Sequence, residues 1–208
     1  MDILLYAVKT FTTIFIIMGP FSIIPIFISL TENNTEEEKL KIIRKTITTS
    51  FLLCIVFAFF GTSLFKLFGI TINSFRIAGG LLLILMAINM LQAKRSKVRV
   101  TPDEHRESLD KDDVSIFPLA IPMIAGPGTI STLVLISSET TTFSHWTILI
   151  LCIALSSLIL YLILFLSEKL FKFLGQTGLN IVTRVMGLIL ASIATEYILQ
   201  GIKAYFKI

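Results

Sequence analysis

The feature that most constrains this chain is a series of six apolar runs, each long enough to cross a bilayer as an α-helix. Such a crossing takes roughly 20 apolar residues. The runs cover 3–30, 47–65, 75–92, 116–138, 146–167 and 181–202. Hydrophobic residues make up 54% of the chain and charged residues only 15%, a balance outside the usual range of soluble domains. The sequence therefore predicts an all-α membrane protein with six transmembrane helices.

A charged linker, 93–115, is the only long polar stretch, and it separates a first three-helix repeat (1–92) from a second (116–208). Several motifs recur in the same order in both halves, at offsets of 106 to 108 residues. The pairs are Gly19-Pro20 with Gly126-Pro127, Phe65-Lys66 and Gly69 with Phe171-Lys172 and Gly175, Asn73 with Asn180, and Arg76 and Gly79 with Arg184 and Gly187. Because each half has an odd number of spans, the second half enters the membrane from the opposite side. This pattern predicts two inverted-topology repeats, an architecture of many secondary transporters.

The first and fourth runs contain five of the six prolines. Proline lacks an amide donor and clashes with the preceding turn, so a Gly-Pro pair predicts a break in each span. Lys9 and Ile116 are equivalent at the repeat offset, and each break comes ten residues later, roughly 15 Å along a helix and so near the middle of the bilayer. The alternative is a simple proline kink whose freed carbonyls are satisfied by neighbouring helices.

A half-helix that starts at such a break has amides without partners and the positive end of its dipole. We expect these amides to face a cavity between the halves and to suit a small ligand with a carboxylate. The expected donors are the amides of Phe21, Ser22, Ile23, Gly128, Thr129 and Ile130. The candidate substrate-binding residues are Gly19, Pro20, Phe21, Ser22, Gly126, Pro127, Gly128 and Thr129.

Four further polar residues lie within or at the start of the third and sixth spans. Asn89 and Glu196 occupy equivalent positions inside these spans and are candidates for coupling-ion transfer or polar lining, or for simple pairing with a buried donor. Arg76 and Arg184 begin the two spans at opposite faces. They are interpreted as snorkelling anchors or as gates. The Gly79-Gly80 pair and Gly187 predict close helix packing within the monomer.

The basic residues predict the orientation. The loops 31–46, 93–115 and 168–180 contain twelve lysines and arginines, whereas the opposite side has fewer. The positive-inside rule places these loops in the cytoplasm and both termini outside. Thr35 followed by Glu36, Glu37 and Glu38 has the form of a helix capping box, so the second helix is predicted to begin before the bilayer.

Several function classes are excluded by the same pattern. The formal net charge of +4 comes from basic residues between apolar runs, which argues against nucleic acid as a partner. Cys54 and Cys152 lie inside apolar runs and are interpreted as small buried side chains. The sequence has no paired carboxylates, no nucleophile with a histidine base and no metal-ligand spacing. We expect neither an enzyme nor a cofactor or metal.

Four motifs are similar to those of the MarC (UPF0056-type) family. They are Gly19-Pro20-Phe21-Ser22-Ile23-Ile24-Pro25, Phe117-Pro118-Leu119-Ala120-Ile121-Pro122 with Ala125-Gly126-Pro127-Gly128-Thr129, Phe75-Arg76-Ile77-Ala78-Gly79-Gly80, and Arg184-Val185-Met186-Gly187. The resemblance implies a multi-pass inner-membrane protein related to transporters of neutral amino acids such as alanine and glycine. Many members have Asp where Gly19 stands and Gln where Glu196 stands.

The leading hypothesis is a secondary transporter of small neutral amino acids that works by alternating access. It requires a small-molecule substrate and a lipid bilayer, and it leaves the oligomeric state open. The alternatives are a passive channel for a small solute, which saturation and exchange kinetics distinguish from a carrier, and a membrane protein that transports nothing.

Overall fold

The computed structural model describes residues 3–67, 69–92 and 114–206. The elements are α1 (Ile3–Ile17), α2 (Ile24–Leu30), α3 (Glu36–Leu67), α4 (Ile72–Leu91), α5 (Ser115–Ile124), α6 (Pro127–Glu139), α7 (Phe143–Phe165) and α8 (Ser167–Phe206). These elements are all helical, which agrees with the predicted class. The predicted linker 93–115 lies, apart from its last two residues, outside the described residues.

The number of membrane crossings depends on how the broken segments are treated. Among the described residues, α3, α4, α7 and α8 are each long and apolar enough to cross a membrane, and α5 and α6 together form a fifth candidate bent by 53°. The prediction of six spans is thus supported for four or five. The first apolar run falls short because residues 18–23 interrupt it, and α1 alone has 15 residues, about 22 Å.

The outer surface of these helices is apolar. Leu4, Phe60, Leu151 and Leu188, on four different helices, are all more than half exposed. Side chains of this kind on every long helix would be a large hydrophobic patch in water, whereas lipid covers them without cost. The fold is therefore that of a protein embedded in a membrane.

Two predicted loops contain helix. Helix α3 already begins at Glu36, and the predicted capping box is confirmed: the amide of Glu38 donates to Thr35 Oγ1 (3.4 Å) and the amide of Thr35 donates to Glu38 Oε2 (2.8 Å). The predicted loop 168–180 is wrong, because α8 starts at Ser167 and is interrupted only at Gly175 (φ 62°). The charged and polar residues of 168–180 are thus compatible with helix on both sides of the break at Gly175.

Helices α4 and α8 form an antiparallel pair in close contact through glycines. A Cβ at Gly80 would lie 2.9 Å from the carbonyl oxygen of Ala194, and one at Gly187 would lie 3.1 Å from that of Ala87. Both distances are shorter than ordinary van der Waals contact, so glycine at these positions lets the two helices approach closely. The predicted close packing within the monomer is confirmed.

The bundle has two ends, named here after one residue at each. At the Arg76 end, Arg76 of α4 pairs with Glu139 of α6, and Tyr6 of α1 bonds Thr140. At the Lys39 end, Lys39 of α3 pairs with Glu168 of α8. The 32 residues of α3, about 48 Å long, connect one end to the other.

We expect Gly187→Leu to lower the stability of the fold, because its side chain overlaps Met90 and the backbone of α4. Overpacking of this kind costs roughly 1–3 kcal/mol. The measurement is the melting temperature of the purified protein in detergent. Ser192→Leu is the matched control, since Ser192 is exposed on the same helix. An equal melting temperature for both variants would contradict the packing described.

Candidate functional site

The first break, between α1 and α2, forms a tight turn. Gly19 has a left-handed backbone (φ 62°), which suits the end of a helix. Its carbonyl accepts hydrogen bonds from the amides of Ser22 (3.0 Å) and Ile23 (3.3 Å). Helix α2 begins only at Ile24, with Pro25 in its first turn. The prediction that Ser22 and Ile23 offer free amides is therefore wrong, because the turn at Gly19 uses them.

The second break, between α5 and α6, has the predicted form. Gly126 is extended (φ −83°, ψ 176°) and Pro127 is the first residue of α6. The amide of Ile130 donates to the carbonyl of Gly126 (2.9 Å), so the prediction that Ile130 offers a free amide is wrong, because the first turn of α6 uses it. Among the described residues, the amides of Gly128 and Thr129 donate no hydrogen bond, although both residues are buried.

Proline also shapes the segment that leads to this break. Phe117 and Ile121 have extended backbone angles inside α5, and each precedes a proline, which disfavours the helical conformation of the residue before it. The Thr129 hydroxyl donates to the carbonyl of Ile124 (2.7 Å). This bond satisfies an acceptor that the break would otherwise leave open.

Helix α6 is the most enclosed element near the breaks. Every residue from 131 to 137 is buried, and a Cβ at Gly128 would lie 2.2 Å from Met86 Sδ of α4. Met18 and Ile23 of the first break belong to the same apolar cluster as Ile124 and Ala125 of the second. The two breaks therefore meet in one core, and Gly128 and Thr129 are buried in this conformation, whereas Pro127 is exposed.

The eight candidate substrate-binding residues lie around these two breaks, and one polar contact connects the first break to α8. The Ser22 hydroxyl donates to Thr183 Oγ1 at 3.5 Å, a long hydrogen bond. Of the three glycines among them, Gly126 has the closest backbone neighbour, since a Cβ there would lie 2.1 Å from the carbonyl oxygen of Pro122.

The structure does not bring the other polar candidates to the breaks. Asn89 and Glu196 are exposed on the outer side of α4 and α8, and Glu196 accepts a hydrogen bond from Gln200 of its own helix (2.8 Å). Arg184 is exposed on α8, toward the Lys39 end, since nearby Gly187 packs against the end of α4.

Arg76 has a partner that sequence analysis did not identify. Its guanidinium pairs with Glu139, the last residue of α6, which lies one residue beyond the predicted fourth span. Next to it, the Thr140 hydroxyl donates to the carbonyl of Ile136 (2.8 Å), so the Tyr6 hydroxyl is the donor in its 3.0 Å bond to Thr140. The Tyr6 ring meets His145 edge to face at 4.5 Å. Helices α1, α4, α6 and α7 are thus held together at the Arg76 end.

At the Lys39 end the corresponding contact joins α3 to α8. Lys39 Nζ lies 2.6 Å from a carboxylate oxygen of Glu168 and 2.9 Å from one of Glu36. Like the pair of Arg76 and Glu139, it connects a residue before the central linker to one after it. Each end of the bundle is therefore held by an ion pair between the two halves.

Apolar helices that cross the bundle, with lipid-facing side chains and a broken central segment, define a multi-pass integral membrane protein. The chain belongs to the MarC family: the model of the MarC family integral membrane proteins matches residues 4–206. The resemblance found in its motifs is thereby confirmed.

Relatives of the family align over nearly the whole chain. UPF0056 membrane protein YvbG of Bacillus subtilis is 40% identical over 208 residues, which covers 98% of this chain and 97% of the relative. UPF0056 membrane protein YhcE of Escherichia coli is 34% identical and covers 95% and 92%. A UPF0056 membrane protein of Aquifex aeolicus is 34% identical and covers 96% and 94%. No solved structure matches the chain.

The two glycines of the second break should respond differently to alanine. Gly126→Ala places a methyl group against the Pro122 carbonyl oxygen, which is backbone, whereas Gly128→Ala meets the flexible side chain of Met86. We expect Gly126→Ala to reduce folded yield and melting temperature strongly, and Gly128→Ala to fold. Adding Met86→Ala to Gly128→Ala should restore any lost stability. Equal loss in both single variants would contradict this geometry.

Proposed function

We propose that this protein is a secondary transporter of small neutral amino acids, alanine- or glycine-like, and not an enzyme. The observation that carries the proposal is the pair of buried amides of Gly128 and Thr129 without acceptors, at the start of α6 inside the bundle. Positive dipole ends at such breaks bind anionic substrate groups in transporters with discontinuous helices. A substrate carboxylate would satisfy both amides.

The proposal includes a sixth crossing made of α1 and α2, and two inverted repeats. The reciprocal glycine contacts support this: Gly80 meets Ala194 and Ile198, and Gly187 meets Ala87 and Leu91. At the repeat offset of 107 residues, Gly80 corresponds to Gly187, Ala194 to Ala87 and Ile198 to Leu91. The two sets of contacts are therefore equivalent, with the two halves of the chain exchanged. A pseudo-two-fold axis between α4 and α8 explains this exchange.

Other elements follow the same relation. Helix α1 packs on α7 while α5 packs on α3, and α2 packs on α8 while α6 packs on α4. Gly69 and Gly175, which match in the sequence, both have a left-handed φ (66° and 62°). These correspondences support repeats of opposite orientation.

We further propose a bacterial inner-membrane location with the Lys39 end in the cytoplasm. The loop at 31–35 and the junction of α7 and α8 lie at this end, close to the basic residues that favour the cytoplasmic side. Both termini would then lie outside, where α1 begins and α8 ends at the Arg76 end.

The primary test is counterflow of labelled alanine in liposomes that hold the purified protein. We expect saturable exchange in the wild type and its loss in Gly128→Val, whose side chain occupies the start of α6. Ser192→Leu, altered on the lipid-facing side, should retain exchange. A lack of exchange across a panel of neutral amino acids would contradict the proposal, and flux without saturation or counterflow would favour a passive channel.

Alternating access also predicts a role for the two ion pairs that join the halves. In this conformation both pairs are formed, and Gly128 and Thr129 of the second break are buried. We expect Glu139→Gln to weaken closure at the Arg76 end and Glu168→Gln to weaken it at the Lys39 end, because each removes one charge of a pair.

The measurement is labelling of a single cysteine at Ser22, in a background without Cys54 and Cys152, by a membrane-impermeant thiol reagent added from one side. Each variant should raise labelling several-fold from its own side only. A double variant in which Arg76 becomes Glu and Glu139 becomes Arg restores an ion pair, so it should not show the increased labelling that Glu139→Gln causes. Increased labelling from the same side in both variants would refute separate gates.

A further inference from the structure

One hydroxyl near the start of α6 differs from all its neighbours. Five serine and threonine side chains on or just after α6 donate to backbone carbonyls, at distances from 2.7 to 3.0 Å: Thr129, Ser131, Ser137, Ser138 and Thr140. Thr132 does not. Its hydroxyl is buried, with the residue only 1% exposed, and it has no hydrogen-bond partner among the described residues.

An unpaired hydroxyl of this kind calls for an explanation. Buried polar groups in folded proteins nearly always have a hydrogen-bond partner. A buried group without one loses its hydrogen bonds to water and gains none in their place, which costs free energy. A threonine hydroxyl in a helix can also donate to the backbone carbonyl four residues earlier, as the Ser131 hydroxyl does to the carbonyl of Pro127 (2.8 Å). Thr132 leaves that option unused, so its hydroxyl is available to something else.

The position of Thr132 indicates what that is. It follows Gly128 by four residues and Thr129 by three, so it shares a face of α6 with the two unpaired amides. Side chains on a helix lean toward its N-terminus, which directs Thr132 to the turn that carries those amides. Three unpaired donors, two from the backbone and one from a side chain, are thus placed within one turn of a buried helix.

We propose that the Thr132 hydroxyl and the amides of Gly128 and Thr129 form a three-donor site for the carboxylate of a small amino acid. A carboxylate accepts through two oxygens and about four lone pairs, so it can satisfy all three donors together. The identity of the ligand rests on the proposed transport function. The donor set itself rests on the geometry of α6.

Of the two breaks, only the second provides this set of three donors. In the first half, the positions equivalent to Gly128, Thr129 and Thr132 at the 107-residue offset are Phe21, Ser22 and Pro25. The Ser22 amide is bonded to the Gly19 carbonyl, and proline has no hydroxyl and no amide hydrogen. Symmetric breaks therefore form one carboxylate site and not two.

The neighbours of Gly128 restrict the size of the ligand. Met86 Sδ and Leu83 Cδ2 would lie 2.2 and 3.2 Å from a Cβ at Gly128, so apolar side chains of α4 cover this turn. Methionine is flexible enough to move aside for a ligand, but little room remains for a bulky side chain. This environment fits a small, uncharged substituent beside the carboxylate.

The test compares Thr132→Val, which keeps the shape and removes the hydroxyl, with the wild type. Alanine affinity is measured by calorimetry on the full chain in detergent. We expect alanine binding about tenfold weaker in Thr132→Val, the typical size for a lost bond to a charged group. The melting temperature without ligand should be unchanged or higher, because an unpaired buried hydroxyl has been removed. Alaninamide, which lacks the carboxylate, should bind both proteins equally poorly.

Ser137→Ala is the matched control, since its buried hydroxyl already bonds Val134 (3.0 Å), and it should leave alanine affinity unchanged. Alanine affinity equal to wild type in Thr132→Val would overturn the proposal. Acetate and propionate are titrated as well: a carboxylate that binds the wild type and not Thr132→Val, without exchange in liposomes, supports the site while refuting transport. If no carboxylate binds the wild type, the site is refuted.

Discussion

The requirement that backbone polar groups find partners away from water governs this structure more than any other constraint. Lipid offers no hydrogen bonds, so a break in a membrane-embedded helix is tolerable only where protein or a cavity surrounds it. The break at Gly126-Pro127 meets this condition because α6 is enclosed by α1, α3, α4 and α7. The Thr129 hydroxyl also satisfies the carbonyl of Ile124. What remains unsatisfied is a small, defined set of donors at the start of α6.

The close pair of α4 and α8 is the frame on which this arrangement rests. Gly80 and Gly187 allow the two backbones to approach, and α4 in turn supplies Met86 and Arg76 to opposite ends of α6. The helix that carries the candidate site is thus held along its length by α4, by apolar contact at its start and by an ion pair at Glu139. A change in the position of α4 would therefore alter both the apolar contact at the start of α6 and the ion pair at Glu139.

The two breaks show how a repeated motif can serve different purposes in its two copies. Gly19 adopts a left-handed conformation that turns the chain and engages the next amides, whereas Gly126 is extended and leads directly into a helix. Helix α2 has seven residues and two that are buried, while α6 has thirteen and is buried for most of its length. The first copy therefore contributes Met18 and Ile23 to the core that it shares with Ile124 and Ala125, and the second offers the donors.

The sequence by itself determined the membrane class, the positions of the breaks, the capping of α3 and the close packing at the glycines of α4 and α8. Each of these depends on local properties: apolar length, the missing amide of proline, side chains within one turn, and residue size. Only the tertiary structure decided that Ser22 and Ile23 are bonded while Gly128 and Thr129 are not, that Glu139 is the partner of Arg76, and that Asn89 and Glu196 lie on the outside. The physical reason is that free donors and ion pairs depend on which distant segments pack together, and local composition carries no record of those neighbours.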